Sequence, residues 1–299
     1  MAHLTPFEYA RPGSLEELQE LLASRAGVTP FYLAGGTDLM VAMRSGKYSP
    51  ELVVDLKHLA GLGGVNPGKD DTLRIGALTT IHAVEEHELI RSRFTALHEG
   101  ARSLGSLQVR NRATLGGNLA NGSPTADMAI PLMAFNAEIL TWSSKGERRM
   151  SAASFWMGAG KTALQQGEII TGIELLLDEG LRSAYEKLGP RNAMDIAIAS
   201  AAVVLRLDSG SIREVRIALG GACPTPIRAH SAEKYLKGHR ADPEHISQAG
   251  KLAADESNPR SSTRASREYR LAVIPVLVER ALRHCLRRQG IIDEINGQL

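Results

Sequence analysis

The chain has 299 residues, 43% of them hydrophobic and 23% charged, and carries a formal net charge of +2. That length accommodates roughly two domains of ordinary size. So small a charge argues against nucleic acid or an anionic membrane as partner, and no apolar run reaches the roughly 18 residues that a bilayer-crossing helix requires. Two cysteines, Cys223 and Cys285, make a disulfide framework improbable and fall short of the four thiolates of an iron–sulfur cluster. His82 and His87 lack the spacing that puts two imidazoles on one helix face and read as ordinary surface or core histidines. Redox chemistry must therefore come from an organic cofactor or another chain. The N-terminal stretch has neither the basic start nor the apolar core of a Sec-type signal, so a cytoplasmic protein is expected.

Taken in chain order, Ser14 and Glu17 form a capping box ahead of a helix over 14–24, with Leu15, Leu18, Leu21 and Leu22 on one face. Phe31 to Ala34 reads as a buried strand running into Gly35-Gly36-Thr37-Asp38, and Leu39 to Arg44 as a short helix stopped near Gly46. Strands are expected at Leu52–Leu56 and Leu73–Ile75, with a turn at Asn66-Pro67-Gly68 between them. Phe94, Leu97, Ala101 and Leu104 define a helix that Gly105 ends. The glycine- and asparagine-rich stretch from Thr114 to Pro124 reads as a loop, and Asp127 as the cap of a helix through Ile130 and Met133. Further strands are expected at Glu138–Trp142, Glu168–Leu177, Ala197–Leu207 and Val215–Leu219. Residues 231–289 read as helical, with Pro275 kinking or breaking the last helix. A domain boundary is expected near 178, where the texture changes.

Two segments carry chemistry: Ala34-Gly35-Gly36-Thr37-Asp38-Leu39 and Thr114-Leu115-Gly116-Gly117-Asn118. Glycine lets backbone N–H groups converge on an anion and approach it closely. Two hydroxyl-bearing loops suit the two phosphates of a pyrophosphate, although a tight turn is the plain alternative for any single Gly-Gly pair. Gly158-Ala159-Gly160-Lys161-Thr162 resembles the end of a Walker A loop, but Phe155 stands where that motif needs glycine. Gly61-Leu62-Gly63-Gly64-Val65-Asn66 ends in asparagine and is not a Rossmann fingerprint. A dinucleotide would therefore be held in some other fold.

These landmarks resemble the medium, FAD-binding subunit of the molybdenum hydroxylases, the xanthine dehydrogenase and carbon monoxide dehydrogenase group. The resemblance runs through Ala34–Leu39, Gln108–Asn118, Ser123-Pro124, Ala126-Asp127, Gly167–Ile170, Tyr185 with Lys187, Asp195–Ala197, Pro226–Ala229, Ala232-Glu233 and Ala265–Arg270. It implies an α+β fold: a PCMH-type (vanillyl-alcohol-oxidase-like) FAD-binding domain over 1–178, with subdomains at about 1–58 and 59–178. A CO-dehydrogenase-flavoprotein-like C-terminal α+β domain over 179–299 follows. It implies FAD on this chain, held by Tyr32, Leu33, Ala34, Gly35, Gly36, Thr37, Asp38 and Leu39 and by Thr114, Gly116, Gly117 and Asn118. Asp127 would contact the adenosine and diphosphate portion, and Ile170 and Lys187 would sit near the flavin. Leu104 stands where the family often has an aromatic residue. Arg110 and Arg112 alternate like strand-surface charges, and Tyr185 reads as core; none of the three is placed in the site.

The resemblance further implies a large subunit with the molybdenum cofactor and a small subunit with [2Fe–2S] clusters, as a dimer of heterotrimers. Electrons would pass from those clusters through FAD to NAD⁺ or another acceptor, and no residue of this chain is expected to act as a catalytic acid or base. The competing readings are a stand-alone PCMH-type flavin reductase, similar to UDP-N-acetylenolpyruvoylglucosamine reductase, and a nucleotide-binding module without turnover.

Overall fold

A computed structural model describes residues 4–191 and 193–288. The chain starts with a small parallel sheet, order β1-β3-β2, of β1 (Glu8–Ala10), β2 (Pro30–Leu33) and β3 (Leu52–Asp55). Central β3 is buried along its whole length, as its uninterrupted apolar run Leu52-Val53-Val54 demands. Helix α1 (Leu15–Ser24) buries Leu18 against Leu52 and Val54. Ser14 Oγ accepts from the Glu17 amide, and the Glu17 carboxylate accepts from the Gly13 amide at 2.7 Å, so the capping box closes one residue early. Helix α2 (Leu39–Arg44) follows the first glycine segment.

The next unit is a five-stranded antiparallel sheet, order β4-β5-β10-β6-β7. Its strands are β4 (Val65–Pro67), β5 (Thr72–Gly76), β6 (Glu138–Ser143), β7 (Gly146–Ser151) and, after a hairpin of β8 (Trp156–Gly158) and β9 (Lys161–Thr162), β10 (Ile169–Leu176). Between β5 and β6 run α3 (Ile81–Glu86), α4 (Glu88–Arg93), α5 (Thr95–Ser103), α6 (Leu107–Arg110), α7 (Leu115–Ala120) and α8 (Ala129–Ala134); α9 (Ala152–Phe155) follows β7. The expected turn at Asn66-Pro67-Gly68 lies further on: Asn66 and Pro67 end edge strand β4, where a missing N–H costs least, and Asp70 and Asp71 take the left-handed turn positions.

The last sheet is a meander of β11 (Arg182–Leu188), β12 (Ala199–Asp208), β13 (Ser211–Gly220) and β14 (Ile227–Arg228). Alternation splits its residues between two cores. Ala184, Ala201, Val203 and Ile217 face α10 (His230–Leu236), α11 (Pro243–Asp255) and α12 (Arg267–Arg287). Tyr185, Ala202, Val204 and Ala218 face the core that contains α5 and α8. Pro275 does not break α12, which runs continuously for 21 residues. The Pro275 backbone meets Gly250 of α11, where a Cβ would come within 2.9 Å, so close helix packing holds the turn that the proline weakens.

Candidate functional site

Strand β2 delivers Tyr32 and Leu33 to the edge of a cleft, and the chain then turns through Gly35 and Gly36. Gly35 lies so close to the backbone of Arg112 and Ala113 that an added Cβ would fall 1.9 Å from the Arg112 carbonyl oxygen. Gly36 has φ +77°, the left-handed region that favours glycine. Among the described residues, the amides of Gly35, Gly36, Thr37, Asp38 and Leu39 find no intramolecular acceptor. Five consecutive free N–H groups are a ready anion cradle. Lys57, bonded to Asp55 at 2.6 Å and to the Ala34 carbonyl at 3.3 Å, adds a cation at the rim.

The second glycine segment is not the expected loop. Thr114 caps α7, its Oγ1 accepting from the Gly117 amide at 3.2 Å, and Gly116 and Gly117 form the first helical turn. A Cβ on Gly116 would lie 2.7 Å from the Ala77 Cβ, so glycine here allows the helix to seat on the end of β5. The amides of Leu115, Gly116, Gly117 and Asn118 bond to Thr79, Ala77 and Thr114. This segment therefore offers side chains, foremost Asn118, whose buried Oδ1 has no partner.

A cavity of about 80 Å³ lies where the segments meet, lined by Tyr32, Ala34, Ala77, Gly116, Gly117, Glu168 and Ile170, among others. The buried Tyr32 hydroxyl has no partner, and burial pushes that phenol up to about 12. A register shift between Ile170 and Gly172 bulges β10, aiming Ile170 into the cavity while the Thr171 carbonyl accepts from the Ala77 amide. Glu168 anchors the start of β10. Burial raises its carboxyl, but bonds from Arg148, Thr141 and the Gln165 amide outweigh that and hold it below 4.5.

Asp127, Lys187 and Leu104 gather in a second cluster. Period-two alternation puts Tyr185 and Lys187 on one face of β11, where Asp127 accepts from the Tyr185 hydroxyl at 2.8 Å and from Lys187 Nζ at 3.0 Å. Lys187 also reaches Asp195 at 3.2 Å and the Ser103 carbonyl, next to buried Leu104, at 3.1 Å. Burial pushes the Asp127 carboxyl up against the pull of Lys187. Burial and Asp127 together push the Tyr185 phenol well above its ordinary range. Asp127 is thus an internal ion partner and not a helix cap; Met128 takes that position in α8. Arg110 is no strand-surface charge either: it sits in α6, ion-paired with Glu85 at 2.7 Å.

The structure thus brings Tyr32, Ala34, Gly116, Gly117 and Ile170 around one cavity, with Gly35, Gly36, Thr37 and exposed Asp38 following Ala34 in the chain and half-buried Leu39 opening α2. The chain passes from there through α7 and the turn at 121–126 to Asp127 and Lys187. Lys57 and Ala77 carried no site signal in the sequence, since each owes its place to contacts between distant segments, and Asp195 was visible only as part of Asp195–Ala197. Glu168 was visible only as part of Gly167–Ile170.

The comparisons with known proteins agree. The model described as the FAD binding domain in molybdopterin dehydrogenase matches residues 5–175, and that of the CO dehydrogenase flavoprotein C-terminal domain matches residues 183–285. The glyceraldehyde dehydrogenase medium chain of Sulfolobus acidocaldarius is 32% identical over 93% of this chain and 97% of its own length. The xanthine dehydrogenase FAD-binding subunit of Escherichia coli O157:H7 is 33% identical over 94% of this chain and 97% of its own. The structure of carbon monoxide dehydrogenase from Hydrogenophaga pseudoflava superposes with a TM-score of 0.91 at 32% identity, covering 96% of this chain and 99% of that one. The chain belongs to the FAD-binding, medium-chain family of the molybdenum hydroxylases, the flavin oxidoreductase subunits of the xanthine dehydrogenase and carbon monoxide dehydrogenase group. Among the described residues no helix is long and apolar enough to cross a membrane.

Proposed function

We propose that this chain holds FAD across both glycine segments and relays electrons between partner subunits and an acceptor. The observation that carries the reading is the row of free amides from Gly35 to Leu39, directly after Tyr32 and Ala34 in the cavity wall, together with one orphaned buried polar atom on each segment, Tyr32 Oη and Asn118 Oδ1. Phosphate oxygens would accept from the free amides and from the Tyr32 hydroxyl, and donors elsewhere on FAD would serve Asn118 Oδ1. The residues that would hold it are Tyr32 to Leu39, Thr114, Gly116, Gly117, Asn118 and Ile170. Asp127 and Lys187, with Leu104 beside them, form the polar contact further along the ligand. When bound, the flavin supplies the redox chemistry; the chain binds it, orients it and screens it from water.

The complex we propose contains a large subunit with the molybdenum cofactor and a small one with [2Fe–2S] clusters, in a dimer of heterotrimers within the cytoplasm. Electrons from the clusters leave through this chain to NAD⁺ or another acceptor. Its domains would be 1–178, with subdomains at about 1–58 and 59–178, and 179–299, a division supported by the matched segments 5–175 and 183–285. The test is Gly36→Asp, which sets a carboxylate against the phosphate cradle. The variant is expected to purify folded and without flavin; normal flavin content would place the phosphates elsewhere. Copurification of large and small chains is expected, and a chain that turns over substrate alone would refute the subunit reading.

A further inference from the structure

Arg270 lies in the first turn of α12 and is 4% exposed. A guanidinium so deeply buried normally rests on a carboxylate, but this one donates to the Ile198 carbonyl and, at 2.9 Å, to Ser262 Oγ. Its Nε is buried with no partner. Among the described residues no carboxylate lies within ion-pair distance of Arg260, Arg264 or Arg270. Burial first, then the like charges of Arg264 and Arg260, push the Arg270 guanidinium below its ordinary value.

The loop carrying these charges is held in shape. The Asn258 amide donates to the Ala222 carbonyl at 2.9 Å, the Ser262 amide to the Ala265 carbonyl at 3.0 Å and the Arg267 amide to Ser261 Oγ at 2.9 Å. The N-terminus of α12 is not itself the attraction, because Ser266 Oγ already accepts from the Tyr269 amide at 3.2 Å and acidic Glu268 lies in that first turn. Exposed Arg260 and Arg264 repel buried Arg270 with no carboxylate among the described residues to offset them, and an oxyanion beside them would be held by charge-assisted bonds. Arg270 also abuts Gly221, where a Cβ would lie 3.2 Å from Nη1 and 3.3 Å from Thr125 Cγ2. The cluster therefore borders the turn that leads to Asp127.

We infer that Arg260, Arg264 and Ser262, backed by buried Arg270, form a phosphate-binding site distinct from the cradle at Gly35–Leu39. Its place beside the turn leading to Asp127 suits the phosphate of a nucleotide that meets the flavin, an assignment that rests on the proposed function. The phosphate chemistry itself does not depend on that function.

The test uses the full chain loaded with FAD, its flavin content read by absorbance, and inorganic phosphate added at constant ionic strength against chloride. Wild type is expected to show a saturable rise in Tm. The exposed-residue double variant R260Q/R264Q is expected to keep its flavin, to match or exceed the wild-type Tm in chloride, and to bind phosphate at least tenfold more weakly by calorimetry. Competition by NAD⁺ identifies a dinucleotide as the source; phosphate binding without competition identifies the free ion, and either result supports the site. An unsaturated response, an adventitious ion only, overturns it. So does an equal response in the double variant, or a response that disappears on FAD loading. Loss of flavin alone would count against the proposed function, not this site.

Discussion

Gly35→Ala tests the close approach on which the cleft is built. A methyl group at residue 35 would sit 1.9 Å from the Arg112 carbonyl oxygen, 2.7 Å from its carbon and 2.9 Å from Ala113 Cα, all backbone atoms that no rotamer change relieves. Reaching even the 3.0 Å floor for such contacts opens the gap by 1.1 Å. Ala113 immediately precedes Thr114, so the displacement separates the two glycine segments. Overpacking of this kind costs about 1–3 kcal/mol, a fall in Tm of about 2–6 °C for a chain of this size. Spoiling one charged hydrogen bond to phosphate costs about 1.5–3 kcal/mol, or about a 10- to 100-fold loss in FAD affinity. Fluorescence titration of the apo chain with FAD, beside a thermal melt, reads both effects. Gly63→Ala, which meets no atom within 4 Å and has no left-handed φ, is the control and should change neither. Wild-type affinity in Gly35→Ala would refute the reasoning, because the segments would then not need to touch.

Thr114→Ala removes the cap of α7 and should cost about 1 kcal/mol, seen as a lower Tm, with FAD affinity reduced more modestly than in Gly35→Ala. Glu168→Gln should be less stable at neutral pH by about 2–3 kcal/mol, below the 3–5 kcal/mol of a fully buried pair, because Arg148 is 39% exposed. A depressed carboxyl stabilises above its unfolded value and loses that contribution as pH falls through the folded value. The gap between wild type and Glu168→Gln should therefore narrow below pH 4.5, and parallel Tm–pH curves would contradict it. Lys187→Met strands two buried carboxylates, Asp127 and Asp195, and should cost about 3–5 kcal/mol by denaturant melt. That cost should shrink on acidification, as the already raised Asp127 takes up a proton; a loss that grows at low pH would reverse the assignment.

Local signals carried much of the fold. Ser14 with Glu17, the run Leu52-Val53-Val54 and the apolar run within Ala197–Leu207 each named their element, because capping and hydrophobic runs are properties of neighbouring residues. Non-local contacts decided the rest. Two glycines argued for a loop at Thr114–Asn118, yet Gly116 pressed on Ala77 makes that stretch a seated helix. Asp127 had the chemistry of a helix cap and was drawn inward by Tyr185 and Lys187, about sixty residues away in sequence. Pro275 predicted a break that packing against Gly250 prevents. The first glycine segment was legible as a close backbone turn, but not the division between the two segments, with free amides on one and bonded amides on the other.

The most direct test of the central claim is the flavin stoichiometry of the purified full chain, read from its visible absorbance after reconstitution with FAD. The account predicts one tightly held FAD per chain, lost in Gly36→Asp. A folded, colourless wild-type chain that takes up no FAD would contradict it.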